Sequence, residues 1–434
     1  MFILEWIRGG TQFILDCGTS VMLPVMVLIL GIIFRMKIAD ALKAGILIGV
    51  GFVGINLMVD LMVSGYAPVS EYYSSVGADY TVTNIGWSGV AAMAWSCSFS
   101  LFIVPLGFAL NFILVRLKFT HTLNVDIWNY YCYILTAATG YYMLLNLGAS
   151  NMVATLVAVL IGVFCSVVSC KIGDHIAPKW QEYFDMPEGV TCTTFDTLLT
   201  HYPVCYVGAW IYDHIPGLKK LKLDAAKLET GKLQSWGSIP VASFVVSLLL
   251  LIITRNEASV VLSSAMTITA SVILMPKCVS LLMEGLVPIS NNARKWMSSK
   301  IKDSENLLIG MDVSIGLGDP CGMTTTLFLL PISVALAYII PGVNFMPIGL
   351  FGGMIWTGHA AAYQAKGNLV KSLFTGTLYL CWSLLTLSWM SGVCTQLAFD
   401  AGVISSMSEM VTGSGMNQVP VVFIGLIGKI LGAF

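Results

Sequence analysis

Charge is what this chain has least of. Only 10% of its 434 residues are Asp, Glu, Lys or Arg, against about 25% in soluble domains. With 57% hydrophobic residues and a mean hydropathy of +0.83, the composition excludes an ordinary soluble fold and reads as a polytopic membrane protein. A net charge of −1 gives no reason to expect nucleic-acid binding. The 11 cysteines form no CxxC pair and sit mostly inside apolar runs. They read as small buried residues, not as a disulfide frame or a zinc site. His201, His214 and His359 show no metal-ligand spacing, and no functional role is expected of them. A cleavable leader is not evident: Glu5 precedes Arg8, and the first long apolar run has no small-residue cleavage site. No stretch reads as a soluble catalytic domain, so one integral membrane domain is expected over 1–434, needing no cofactor.

What is present is a succession of apolar runs, at 11–34, 44–64, 96–115, 121–146, 151–169, 239–253, 260–282, 327–340, 373–391 and 419–434. They predict an all-α protein with about 10–11 transmembrane helices. Arg35 to Lys43 is basic, whereas 65–85 is polar and acidic without Lys or Arg. The positive-inside rule then puts the N-terminus outside. Residues 216–235, with Lys219, Lys220, Lys222, Lys227 and Lys232, form the one clearly soluble loop, on the cytoplasmic side.

Two stretches do not fit a simple span. Residues 188–214 are Thr-rich and carry Pro203. Residues 306–324, NLLIGMDVSIGLGDPCGMT, are Gly-rich and carry Asp312 and Asp319. Irregular backbone and charge persist at membrane depth only where protein or a wet cavity receives them. Both ends of 188–214 are flanked by basic residues, and 306–324 starts from a basic segment, so each is expected as a re-entrant hairpin. One such element per half points to a substrate site on an inverted repeat.

Several patches carry a specific resemblance, in order along almost the whole chain. They are ILDCGTSVMLPVMVLILG (14–31), KAGILIGVGFVGINLMV (43–59), NVDIWN (124–129), KIGD (171–174), IPGLKKLKL (215–223), LMEGLVPI (282–289), NLLIGMDVSIGLG (306–318) and AKGNLVKSL (365–373). The chain resembles the galactitol-family enzyme IIC of the bacterial phosphoenolpyruvate-dependent phosphotransferase system, with the ascorbate carriers as a more distant branch. The resemblance implies an inner-membrane permease (IIC) for a polyol or sugar. It implies a homodimer with a dimerisation scaffold, an elevator-type motion, and separate IIA and IIB partners, the phosphoryl donor lying on IIB.

A polyol site needs donors and acceptors in pairs, with an aromatic over the C–H face; an unpaired hydroxyl is costly to desolvate. Asp312 lies in the second hairpin and matches the family's IGLD-type aspartate; its other reading is a helix cap. Asp319 stands where the family has a His after the Gly, and is either a ligand contact or a cap. Asp126 and Asn129 are three apart, on one face of a helix, although Asp126 could cap that helix. Glu188, Thr193 and Thr194 open the first hairpin. There the galactitol pattern has Pro-His, and the threonines could simply bond back to helix carbonyls. Asn56 is ligand or interhelical glue. Trp87 and Ser88 follow the outer loop, where Trp87 is ligand neighbour or interfacial anchor. The substrate hydroxyl is the attacking group and needs no nucleophile on this chain; an acidic residue, Asp312 or Glu188, is the candidate to orient it or accept its proton. A second reading remains, an ion-coupled secondary transporter using these aspartates; a third is a non-transporting membrane sensor.

Overall fold

The computed structural model describes residues 34–75, 80–126, 129–223, 239–298, 307–401 and 403–434, with 24–25, 28–29 and 31–32 ahead of them. Most of the run at 11–34, and the larger part of the expected loop at 216–235, lie outside the described residues. Within them the chain is mostly helical, as apolar runs in lipid must be, because a helix pairs its own backbone. Among the described residues, three helices are long and apolar enough to cross a membrane: Asn151–Phe184, Pro320–Ile339 and Leu369–Trp389. Shorter apolar helices include Phe102–Arg116, Ala258–Ser271 and Val419–Ile430.

The 34-residue helix Asn151–Phe184 is the central rod, about 51 Å long at 1.5 Å per residue. Ser150 starts it, accepting the Val153 N–H at 3.4 Å, and Asp185 ends it in the left-handed region. Met152, Leu156, Leu160 and Phe164, four apart and so on one face, stay exposed, as a lipid-facing stripe would. Ala154, Ala158, Gly162 and Cys165 are buried on the other side. The helices Ile38–Gly65 and Ala258–Ser298 lie along each other. Gly54 sits beside Cys278, Gly65 beside Ile268, and Gly285 beside Ala44 and Ile48. Small residues at the contact let backbones approach where lipid offers no hydrophobic drive.

The all-α expectation needs one correction. Five short parallel strands stand among the helices: β1 (Thr83–Asn84), β2 (Thr122–Asn124), β3 (Val190–Cys192), β4 (Leu308–Met311) and β5 (Val411–Thr412). They form two sheets, β1-β5 and β2-β4-β3. In the larger one, Leu123 pairs with Ile309 and Thr191 with Gly310. The ladder extends past the strand ends through Val125 N–H to Gly310 O (3.0 Å) and Thr193 N–H to Met311 O (2.9 Å). β-branched residues in short, two-sidedly buried segments suit such pairing, and the partner strands satisfy backbone groups that lipid could not.

The two stretches expected as hairpins share one build. Residues 188–214 give β3, a turn, a π-helical segment Thr197–His201 and the helix Tyr202–His214. Residues 306–324 give β4, the 3₁₀ turn Val313–Gly316 and the start of Pro320–Ile339.

KIGD (171–174) fastens the larger sheet to the central rod. Asp174 accepts from Thr120 Oγ1 and Thr122 Oγ1, both at 2.8 Å, and from His121 N–H at 3.0 Å. Thr191 Oγ1 donates to Gly173 O at 2.8 Å, and Lys171 Nζ to Phe119 O at 2.8 Å. Removing the acceptor strands three donors. Asp174→Ala is therefore expected to lower stability by about 1–3 kcal/mol, read as a lower thermal midpoint of the detergent-purified protein. An unchanged midpoint would show that the sheet holds without this tie.

Candidate functional site

Each of the five strands is followed within a few residues by a side chain that lines one cavity. Trp87 follows β1, Asn129 follows β2 and Thr194 follows β3. Asp312 and Ser314 follow β4, while Ser414 and Asn417 follow β5. Parallel pairing brings strand ends to a common level, so residues far apart in the chain converge.

The polar heart is a carboxylate–amide cluster. Asn129 Nδ2 donates to both Asp126 carboxylate oxygens at 2.8 Å, and also to Asp312 Oδ2. Thr194 Oγ1 donates to Asp126 Oδ2 at 3.1 Å and accepts the Val313 N–H at 2.9 Å. Asp312 Oδ1 accepts the Ser314 N–H at 2.6 Å, so the side chain caps its own 3₁₀ turn while also facing the cavity. Behind this layer, Asn124 accepts from Asp126 N–H at 2.9 Å and from Thr193 Oγ1 at 3.1 Å. Asn129 and Asp312 come from sequence segments some 180 residues apart, brought together at the end of the sheet.

The helix face expected for Asp126 and Asn129 is corrected. The helix begins at Tyr130, and the extended ladder still holds Val125. The two side chains meet nonetheless; residues 127–128 lie outside the described set.

Of the residues singled out above, Asp312, Asn129, Thr194 and Trp87 line the cavity. Asp126 stands behind Asn129, and Thr193 is fully buried in the sheet. Asp319 lies elsewhere: it caps the helix Pro320–Ile339, accepting the Gly322 N–H at 2.6 Å, with Tyr183 OH at 3.4 Å. Glu188 is exposed ahead of β3 and is not among the cavity's described lining residues. Asn56 sits on Ile38–Gly65 and Ser88 on Gly86–Ser96; their side chains lie outside the described set.

Other lining residues carried no signal as single letters. Asp196 precedes the π-helical segment and His201 ends it, with the His201 Nδ1 to Asp196 Oδ2 distance at 3.7 Å. A π-turn is itself a recurrent mark of functional sites, but it is not readable from sequence. His201 stacks on Tyr379 with ring centres 4.4 Å apart. Asn417 donates to Tyr379 OH (3.1 Å) and Ser383 Oγ (3.0 Å). Trp87 and Trp356 meet edge to face at 5.7 Å. Together they set a few polar groups among aromatic rings, the usual make-up of a small-molecule site. Trp87 is positioned by Gly86, whose φ of +67° no branched side chain adopts readily.

A second, wider groove lies beyond a wall of aromatic residues. Tyr183, Tyr202, Tyr363, Lys179, Lys366 and Lys371 line it. In the wall, Trp180 Nε1–H donates to Tyr202 OH at 2.9 Å. The hydroxyl lies 3.0 Å from His359 Nε2, and His359 Nδ1 lies 3.1 Å from Gly316 O. A carbonyl oxygen only accepts, so Nδ1 carries a proton. Phe184 stacks flat on that ring at 4.2 Å.

Apolar helices of membrane length, small-residue helix contacts and a buried polar cavity at interrupted elements are the features of a helical membrane protein with an internal site. Its family follows from comparison. Residues 13–408 match the EIIC-GAT family, described as "PTS system sugar-specific permease component", and the chain belongs to it. It is 28% identical over 414 residues to the "PTS system galactitol-specific EIIC component" of Escherichia coli (strain K12), covering 95% of this chain and 89% of that protein. It is also 28% identical over 437 residues to a "Putative permease IIC component" of the same organism, covering 97% and 95%. The protein is thus a sugar-specific permease component of a phosphotransferase system.

Proposed function

We propose that this permease binds a galactitol-like polyol or related sugar in the cavity at the strand ends. It carries the substrate across the inner membrane for phosphorylation by a separate IIB protein that IIA recharges. The observation that carries this reading is the Asp126–Asn129–Asp312–Thr194 cluster, set in a cavity walled by Trp87, Trp356 and Tyr379. Its chemistry is that of hydroxyl recognition, and the similarity to a galactitol-specific relative supports the same class. Asp312, Asn129, Thr194 and Trp87 contact substrate, and Asp126 holds Asn129 in place.

In this reading 188–214 and 306–324 are the re-entrant elements of an inverted-repeat core. A homodimer scaffold carries that core, which moves as an elevator. The lysine-lined groove beyond Tyr202 and His359 is cytoplasmic and receives IIB, and the N-terminus lies outside, as the positive-inside rule has it. Asp126 and Asp312 are both engaged by the Asn129 amide, an arrangement less suited to a coupling cation than to a fixed hydrogen-bonding surface.

The test is reconstitution in vesicles with the general phosphotransferase proteins and the cognate IIB. Labelled polyols and sugars are screened for phosphoenolpyruvate-dependent formation of phosphorylated product. Product that needs IIB is the expected result. Accumulation of unmodified substrate driven by an ion gradient alone would transfer the argument to a secondary transporter.

A further inference from the structure

Two polar atoms at this cavity have no partner: Asp196 Oδ1 and Ser314 Oγ are buried without a hydrogen bond, and both residues line the cavity. Nearly all buried polar groups in folded proteins are paired, so two orphans on one cavity call for a cause. Their neighbours are occupied. Asp312 is taken by Ser314 N–H and Asn129, Thr194 by Asp126 and Val313 N–H, and the Asn417 amide by Tyr379 and Ser383. Among the described residues, the Thr200 side chain engages the Asp196 carboxylate, and His201 faces its other oxygen at 3.7 Å. Stacking on Tyr379 holds that ring. Asp196 is thus positioned and half-used.

We propose that Asp196 and Ser314 are the specificity-determining pair of the site, taking two hydroxyls of a neutral polyhydroxy ligand. Asp196 Oδ1 accepts one hydrogen bond, and Ser314 Oγ exchanges one with a second hydroxyl. The pair also sets the charge that is accepted. The described lining residues include Asp196 and Asp312 but no Lys or Arg, and the one histidine among them already faces Asp196. A sugar acid would bring a third carboxylate to a wall with no basic partner. This deepens the permease reading above and rests on it.

The experiment is a set of binding cycles on the purified full-length permease. Affinities for galactitol, each of its single-deoxy analogues, related neutral hexitols and galactonate are measured for wild type, Asp196→Asn and Ser314→Ala. Asp196→Asn is expected to weaken binding of the best neutral hexitol about 10- to 100-fold. One deoxy analogue should bind wild type and this variant equally, because the hydroxyl it lacks is the one Asp196 holds. Ser314→Ala should single out a different analogue, and it provides an independent cycle if Asp196→Asn does not fold. Galactonate should bind wild type more weakly than any neutral hexitol, and Asp196→Asn should narrow that gap. If both variants weaken every analogue by one common factor, or if galactonate binds wild type best, the proposal is overturned. Failure of every neutral polyol and sugar to bind wild type would instead overturn the permease substrate reading itself.

Discussion

Asn129→Leu is expected to reduce polyol uptake by at least about 100-fold, the largest loss we expect from any single cavity residue. Leucine has similar bulk but no donor. Asn129 Nδ2 holds the Asp126 carboxylate from one side and Asp312 from the other. Without it, Asp126 keeps the Thr194 hydroxyl and Asp312 keeps the Ser314 N–H, and the two carboxylates face each other with no donor between. Removing one member of a buried charged network costs about 3–5 kcal/mol, and each 1.4 kcal/mol is about a factor of ten. Part of the penalty is structural, so uptake in IIB-containing vesicles is measured beside the thermal midpoint. Wild-type uptake by Asn129→Leu would remove this amide from the site.

Gly310→Val is expected to prevent correct folding or to destabilise the permease by at least about 3 kcal/mol, above the usual overpacking range of 1–3 kcal/mol. Gly310 is the middle of the three-stranded sheet, paired to Asn124 on one side and Thr191 on the other. A Cβ there would meet Thr122 Cγ2 and Thr193 Oγ1 at 2.9 Å, with Thr193 Cγ2 closer still. Both threonines are fully buried, and β-branched side chains have few rotamers to escape into. Strand β4 would have to move, taking with it Asp312, two residues on. Gly310→Ala should show the same defect in milder form. Monodisperse, normally melting Gly310→Val protein would show that the sheet is more yielding than its packing suggests.

Some of the site was legible because its chemistry is local. A carboxylate in a Gly-rich break at membrane depth, as at Asp312, is conspicuous against an apolar background, and the NVDIWN patch contained two more polar residues of the cluster. Asp319 carried the same local signature, yet it caps a helix, since Asp before Pro at a helix start serves that role equally well. Asp196, His201, Tyr379 and Asn417 were not legible. Each is an ordinary letter in its own segment, and only folding places them around one cavity. The segment 407–418 lies between the apolar runs at 373–391 and 419–434, yet it supplies β5, Ser414 and Asn417. The short strands were missed for a related reason. Two to four residues are too few to show an alternation, and in the larger sheet pairing energy comes from partners some 120 to 190 residues away.

By itself, then, the sequence determined the solvent and the family. Scarce charge and long apolar runs require a membrane, and patches such as KIGD and NLLIGMD, kept in order along the chain, mark a phosphotransferase permease. The tertiary structure alone decided which polar groups meet. The hydrogen bonds between Asn129, Asp126, Thr194 and Asp312 depend on three strands lying in register. Register is a property of the packed sheet and not of any one strand, because a parallel pair forms only when the helices between its strands bring both to the same place.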